Sequence, residues 1–247
     1  MKKIQKEILT GLMLGDGGLE VHKNGKNASL KVTRTLQDEE YNKYHFHVFN
    51  SYNSKCANYK HYDKRTNKTY FCSVLKTSVH PEFTQWYKKW YPDGKKNVPN
   101  DIKLTPTSLA TWFADDGCII AKPGMYHVKL ATHGFSLQNV ELLCDKLYCM
   151  NLEPKIYRDI SGKNDHWFIL FGNRKKVISF IKIIDPVFPK SMNRKSNIWR
   201  TSKILFKQPN PDCIYCKSNF VYKSGGPGRY VCQICKKSFR PSPKNRT

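Results

Sequence analysis

Two stretches of this chain end an apolar helix on acidic residues. In LTGLMLGDGGL, residues 9–19, Asp16 stands between Gly15 and Gly17; in SLATWFADDGCI, residues 108–119, Asp115 and Asp116 precede Gly117. A carboxylate is poorly placed at a helix C-terminus, where the macrodipole favours a cation. Small residues in such helices allow close packing, and if the two helices pack on each other, Asp16 and Asp116 emerge side by side. Two carboxylates held that way need a metal. With the backbone oxygens of Gly15 and the flanking Asp115 they supply the hard oxygen donors that Mg2+ takes. A lone Gly-Asp-Gly reads more simply as a C-cap and turn; its recurrence in register favours a site.

A second constellation lies near the end of the sequence. Cys213 and Cys216, then Cys232 and Cys235, form two CxxC pairs with fifteen residues between them. Each CxxC turn offers two thiolates to one ion, and two turns complete a tetrahedral site for one structural Zn2+. The stretch FVYKSGGPGRYV between the pairs reads as strand, glycine turn and strand, which makes a zinc ribbon. Two disulfides are the alternative, disfavoured by the intracellular character of the rest. The other cysteines, Cys56, Cys72, Cys118, Cys144 and Cys149, are scattered among apolar and aromatic neighbours and read as reduced thiols.

The elements that must position these residues repeat. Residues 4–14 have helical periodicity; GLEVHKNGKNASLKVTRT is a hairpin turning at Asn24-Gly25; QDEEYNKYHFHVFNSY is a helix; strands flank KRTNK; and a short helix starts near Pro81. The order then begins again. Thr105 caps a helix with Pro106 in its first turn, a hairpin turns at Pro123-Gly124, Ser136 caps the next helix, another hairpin follows, and NRKKVISFIKIID is the final helix. A tandem duplication of one αββαββα unit accounts for this, giving an α+β fold with divisions at 1–98, 99–203 and, beyond the polar KQPNPD linker, 204–247.

With 43 Lys+Arg against 19 Asp+Glu, the formal charge of +24 points to a polyanionic partner. An anionic membrane surface is the competing reading. No apolar run approaches the ~20 residues a spanning helix needs, and no signal-peptide core follows Met1. The expectation is a soluble intracellular monomer with double-stranded DNA as partner and no membrane. Phosphodiester hydrolysis also needs positive charge or a base near the metal. Comparable segments follow each repeat: DGKKNVP, with Lys95 and Lys96, and FPKSMNRKS, with Arg194 and Lys195.

LTGLMLGDG and LATWFADDG resemble the two signature helices of the LAGLIDADG homing endonucleases, and VPNDIKLTPTSLATWFADDG is similar to the second-motif region of the single-chain, intron-encoded branch. The resemblance covers roughly residues 4–200. It implies two pseudo-symmetric αββαββα halves packed through the motif helices, with saddle-shaped antiparallel sheets in the major groove. It also implies divalent ions, Mg2+ or Mn2+, on Asp16 and Asp116, and minor-groove cleavage leaving short 3′ overhangs. In similar enzymes a lysine reaches the active site from positions matching Lys96 and Lys195; the plainer alternative for these two is phosphate anchoring. The chain departs from the motif where Thr111 stands opposite the first copy's Gly11, and Asp115 opposite Gly15.

Candidate DNA contacts lie along the strands: His22, Lys31, Arg34, Lys60, Tyr62 and Lys64 in the first repeat, Lys129, His133, Lys155, Tyr157 and Arg158 in the second. Lys23, Asp165 and His166 belong to the same mixture. Alternation sends about half of each strand to the DNA without saying which half. HFH places His45 and His47 two apart, off a common helix face, so no histidine enters the metal sites. The ribbon, with ten Lys/Arg against one Asp in residues 201–247, reads as an added DNA clamp through Lys223 and Arg229. The expected function is site-specific cleavage of both strands of a long asymmetric DNA target. The alternatives are a maturase that binds its host intron's RNA and a catalytically silent DNA-binding regulator, all in the cytoplasm or an organelle of a mobile element's host.

Overall fold

The computed structural model describes residues 1–22, 25–122, 125–160, 166–200, 211–218, 221–224 and 228–241. It divides into two compact units, residues 1–205 and 206–247. The turns at Asn24 and at Pro123-Gly124, Lys23, Asp165, and most of the KQPNPD linker with its boundary near 204 lie outside the described residues.

In the first unit the order is α1 (Lys3–Leu14), β1 (Gly17–Val21), β2 (Ala28–Thr35), α2 (Glu39–Val48), β3 (Lys55–Asp63), β4 (Lys68–Lys76) and α3 (Pro81–Trp90). The second repeat gives α4 (Pro106–Asp116), β5 (Gly117–Lys122), β6 (Met125–Ala131), α5 (Leu137–Tyr148), β7 (Lys155–Asp159), β8 (His166–Gly172) and α6 (Arg174–Ile184). Both sheets are antiparallel and share one topology, β1-β2-β4-β3 and β5-β6-β8-β7. The helix read as running through residues 37–52 is broken at both ends into 3-10 turns, Leu36–Asp38 and Asn50–Tyr52. The expectation that α6 ends the fold fails: a further helix, α7 (Asn193–Arg200), follows.

The caps expected from sequence form. Thr105 accepts from the Ser108 N–H with Pro106 in the first turn, and Ser136 accepts from the Asn139 N–H. His80 accepts from the Glu82 N–H at the start of α3.

α1 and α4 pack at the centre, and one continuous core joins both repeats, from Ile8, Leu12 and Phe83 to Trp112, Phe171 and Trp199. Contact is close because Gly11 has no side chain: a Cβ there would lie 2.5 Å from the Ser108 oxygen and from Thr111 Cβ. At Gly15 it would lie 2.4 Å from Asp115 Cβ. The two departures from the repeat are thus complementary, each glycine receiving the side chain at the matching position of the other helix.

The second unit is a three-stranded sheet, β11-β10-β9, from β9 (Val221–Lys223), β10 (Tyr230–Cys232) and β11 (Ser238–Phe239). Two of these strands were expected; the third is too short to carry a periodic signal.

Candidate active site

α1 ends at Leu14 and the chain turns through Gly15 and Asp16 into β1; α4 ends at Asp116 and runs directly into β5. The two corners meet. The Asp16 N–H donates to Asp115 Oδ2 at 3.0 Å. Arg34 lies beneath both, its Nη1 on Asp16 Oδ2 at 2.7 Å and its Nη2 on Asp115 Oδ1 at 2.6 Å. It also stacks over the Tyr41 ring at 4.4 Å.

Arg34 therefore corrects a sequence expectation. It shares the parity of Leu30 and Val32 on β2, which turns it into the protein, and it is only 5% exposed. It is a structural cation beneath the corner and does not face the outer side of the sheet. Asp115 takes a positioning place: its side chain is fully buried and each oxygen accepts a hydrogen bond, so it holds the corner. Asp16, with its side chain 37% exposed, and the half-buried Asp116 remain accessible.

Each corner carries a lysine in the same pose. Lys96 Nζ donates to Gly15 O at 3.2 Å and Gly17 O at 2.8 Å. Lys195 Nζ donates to Asp115 O and Gly117 O, both at 2.9 Å, and to Phe113 O at 3.2 Å. Lys96 arrives on the connection between repeats, after a turn that Gly94 makes at φ +73°. Lys195 arrives on α7, the helix the sequence did not announce.

Burial governs the charges here. It lowers Lys96 to about 8, against the pull of Asp116, Asp115 and Asp16. Lys195 is lowered by burial and further by Arg194. Burial pushes Asp116 up to about 6, and Asp16 adds to that while Lys195 and Lys96 oppose it. Burial pushes Asp115 up to about 7 although Arg34 pulls it down. Arg34 stays charged, since Asp115 and Asp16 outweigh the cost of its burial.

Strand register settles which face each remaining candidate occupies. Lys31 pairs across to Lys76, and Lys76 to Lys55, so three lysines cross the outer face of the first sheet in one row. Lys129, Leu170 and Lys155 form the matching row in the second sheet, with Tyr157 stacked on Phe168 at 5.6 Å and Lys129 Nζ 4.0 Å from that ring's centroid. Lys60, Tyr62 and Arg158 fall on the opposite parity. Lys60 and Tyr62 are exposed nonetheless, because β3 is uncovered on both faces from Ala57 to Tyr62. His22 follows β1, Lys64 sits in the β3–β4 turn, and His133 follows β6 with Nε2 3.6 Å from Asp159 Oδ2; all three are exposed. Lys223 and Arg229 are exposed in the small unit.

Two residues the sequence reading missed brace the lysines. Asp38 receives Arg194 Nε at 2.8 Å and Nη2 at 2.6 Å, and Asn139 Oδ1 accepts the Val98 N–H at 3.1 Å. A signal was present: TLQD at residues 35–38 and SLQN at 136–139 are one tetrad repeated.

In the small unit the four cysteine Sγ atoms lie within 4.8 Å of one another, with Cys213–Cys235 and Cys216–Cys232 each at 3.5 Å and no disulfide. A tetrahedral Zn2+ with ~2.3 Å bonds sets its sulphurs about 3.8 Å apart, so the cluster fits that ion. Burial pushes the Cys232 thiol up, but the Cys235 and Ile234 N–H groups outweigh it and bring it to about 6.

No described helix is long and apolar enough to cross a membrane. Over 195 residues the chain is 32% identical to the uncharacterized protein MJ1098 of Methanocaldococcus jannaschii, spanning 77% of this chain and 72% of that one. It is 30% identical over 148 residues to the cytochrome b mRNA maturase bI2 of Debaryomyces hansenii, spanning 58% of this chain but only 55% of the maturase. The homing endonuclease I-WcaI, in a structure bound to its DNA recognition sequence, matches with a TM-score of 0.70 at 26% identity over 78% of this chain and 86% of that one. The model of the LAGLIDADG DNA endonuclease family matches residues 6–177, and this two-motif single chain belongs to that family.

Proposed function

We propose that the chain is a site-specific DNA endonuclease that breaks both strands of a long asymmetric target, using divalent metal at the corners of Asp16 and Asp116. The observation that carries this reading is the paired corner itself: two accessible carboxylates on adjoining helix ends, each with a half-buried lysine on its flanking carbonyls. The likeness to DNA-bound I-WcaI supports DNA as the substrate.

The donor set fits a hard ion. It consists of carboxylate and carbonyl oxygens. It is also incomplete: among the described residues only the four cysteines gather three or more ligand atoms within 4.8 Å. That suits Mg2+, which keeps waters and takes phosphate oxygens from its substrate. When bound, such an ion polarises the phosphodiester and acidifies water.

The chain's own groups do the rest. Asp16 and Asp116 present oxygen on one side of the corner pair, while Arg34 and Asp115 fix the Asp16 turn from below. Lys96 Nζ, lowered to about 8 by burial, is poised to hold or release a proton near neutral pH. In its charged form it, like Lys195, stabilises negative charge growing on the phosphate. The rows Lys31–Lys76–Lys55 and Lys129–Lys155 neutralise backbone phosphates on either side. The four-cysteine unit, with one structural Zn2+, extends the contact.

The likeness to a maturase favours a second reading, in which the same scaffold binds intron RNA. A plasmid library of randomised sites, incubated with native protein and Mg2+, separates the two. Enrichment of one asymmetric cut site, abolished by chelation of Mg2+, supports the nuclease. No cleavage with tight binding of intron RNA overturns it.

A further inference from the structure

We infer that Asp38 and Asn139 are positioning residues: each repeat's middle helix braces the lysine that serves the other repeat's corner. The inference rests on the roles given above to Lys96 and Lys195. Thr35-Leu36-Gln37-Asp38 leads into α2 and Ser136-Leu137-Gln138-Asn139 opens α5, so Asp38 and Asn139 are matching positions of the repeat. Their partners are crossed. Asp38, in the first repeat, takes a two-pronged bond from Arg194, the neighbour of Lys195 on the first turn of α7, and Lys195 sits on the second corner. Asn139, in the second repeat, accepts from the Val98 N–H and donates to Asn97 Oδ1, just after Lys96, which sits on the first corner.

Both braces are buried, with Asp38 8% and Asn139 9% exposed. A bidentate arginine–carboxylate pair fixes orientation as well as distance. The amide of Asn139 does the same by using both its acceptor and its donor. Neither residue bonds the lysine it serves, so each acts through the backbone that delivers it. A displacement of ~1 Å in a catalytic group costs on the order of a hundredfold in rate. One brace is ionic and the other neutral, so the Asp38 pair is the more sensitive to salt.

The test uses the full chain with Asp38→Asn and Asn139→Ala, and Arg194→Met as a second way to open the first brace from its exposed end. Hydrogen exchange read by mass spectrometry is expected to quicken about tenfold in residues 190–196 for Asp38→Asn and Arg194→Met, and in residues 93–99 for Asn139→Ala, with the other segment unchanged. On the selected DNA site, the two braces' variants are expected to slow nicking of opposite strands about tenfold, leaving the other strand within about twofold. The reversed pair Asp38→Arg with Arg194→Asp restores the lost strand. Loosening of both segments by either variant, or slowing of the same strand by both, overturns the inference. If native protein cuts no DNA, the nuclease reading falls, and the exchange pattern alone decides whether the braces are crossed.

Discussion

The two acidic corners occupy equivalent places in the repeat but balance their charge differently. Beneath the first, Arg34 bonds both Asp16 and Asp115. Val32 pairs with Gly17 and Leu130 with Gly117, so Arg34 corresponds to Thr132, whose hydroxyl donates to the Trp167 oxygen. The second repeat thus supplies no arginine at the matching place, and Asp116 answers chiefly to Lys195 and Lys96. The helices differ in the same complementary way, Gly11 against Thr111 and Gly15 against Asp115. Duplication sets the frame, and the close approach of two like helices then forces them apart in sequence, because matching positions cannot both hold a side chain.

The largest way to break this comparison is to remove the buried cation. Arg34→Met leaves the Asp115 carboxylate buried without its partner, and urea unfolding is expected to show a loss of about 3 kcal/mol or more. Thr132→Val, its counterpart, is expected to lose about 1 kcal/mol. Equal losses at the two sites sink the idea that the corners are balanced differently. Adding Asp115→Asn to Arg34→Met is expected to recover much of the first loss.

Next in size is the helix contact. Gly11→Ala drives a Cβ to 2.5 Å from the Ser108 oxygen, a backbone atom that cannot step aside. About 2 to 3 kcal/mol is expected to be lost. Thr111→Ala removes the facing methyl and is expected to soften the Gly11→Ala penalty when the two are combined. Simple additivity in that double variant contradicts the packing account.

Smaller effects distinguish the two open carboxylates. Burial raises Asp116 to about 6, above its ordinary value, so the folded state favours the protonated form. The associated stability is full below the unfolded carboxylate's range and is lost as pH rises through about 6. Asp116→Asn removes that loss and is expected to raise stability by about 1 kcal/mol at pH 8, after discounting for solvent, and by nothing near pH 4. Asp16→Asn forfeits the ion pair with Arg34 and is expected to change stability in the opposite direction, by less than about 1 kcal/mol. Thermal melts across pH read both signs.

The same carboxylate ties metal binding to pH. Protonation competes with a divalent ion, so the rise in Tm on adding Ca2+ should fade as pH drops through about 6. Affinity is expected to weaken about tenfold per pH unit below that point. A Ca2+ effect constant from pH 8 to pH 5 excludes Asp116 as a ligand.

Much of this was legible in the sequence. The GDG and DDG corners, the cap at Thr105, and the hairpins stand out because glycine, proline and capping residues act locally. The four cysteines were equally plain, since ligand spacing is a local property. The face of each strand was not legible: Arg34 reads as a groove residue beside Lys31, and only register and burial turn it inward beneath Asp16. Helix α7 escaped because MNRKSNIWR holds Met192, Ile198 and Trp199 among polar residues, too few for a helical stripe. Asp38 and Asn139 escaped because their partners lie far along the chain, although the repeated tetrad marked the place.

The central claim is that Asp16 and Asp116 together make the cutting site. Single-turnover cleavage of the selected DNA with Mg2+, measured for native protein, Asp16→Asn and Asp116→Asn beside their DNA affinities, tests it most directly. Each variant is expected to bind DNA within about threefold of native and to cut on the order of a thousandfold more slowly. Native-like cutting by either variant, or loss of cutting that merely follows loss of binding, contradicts the account.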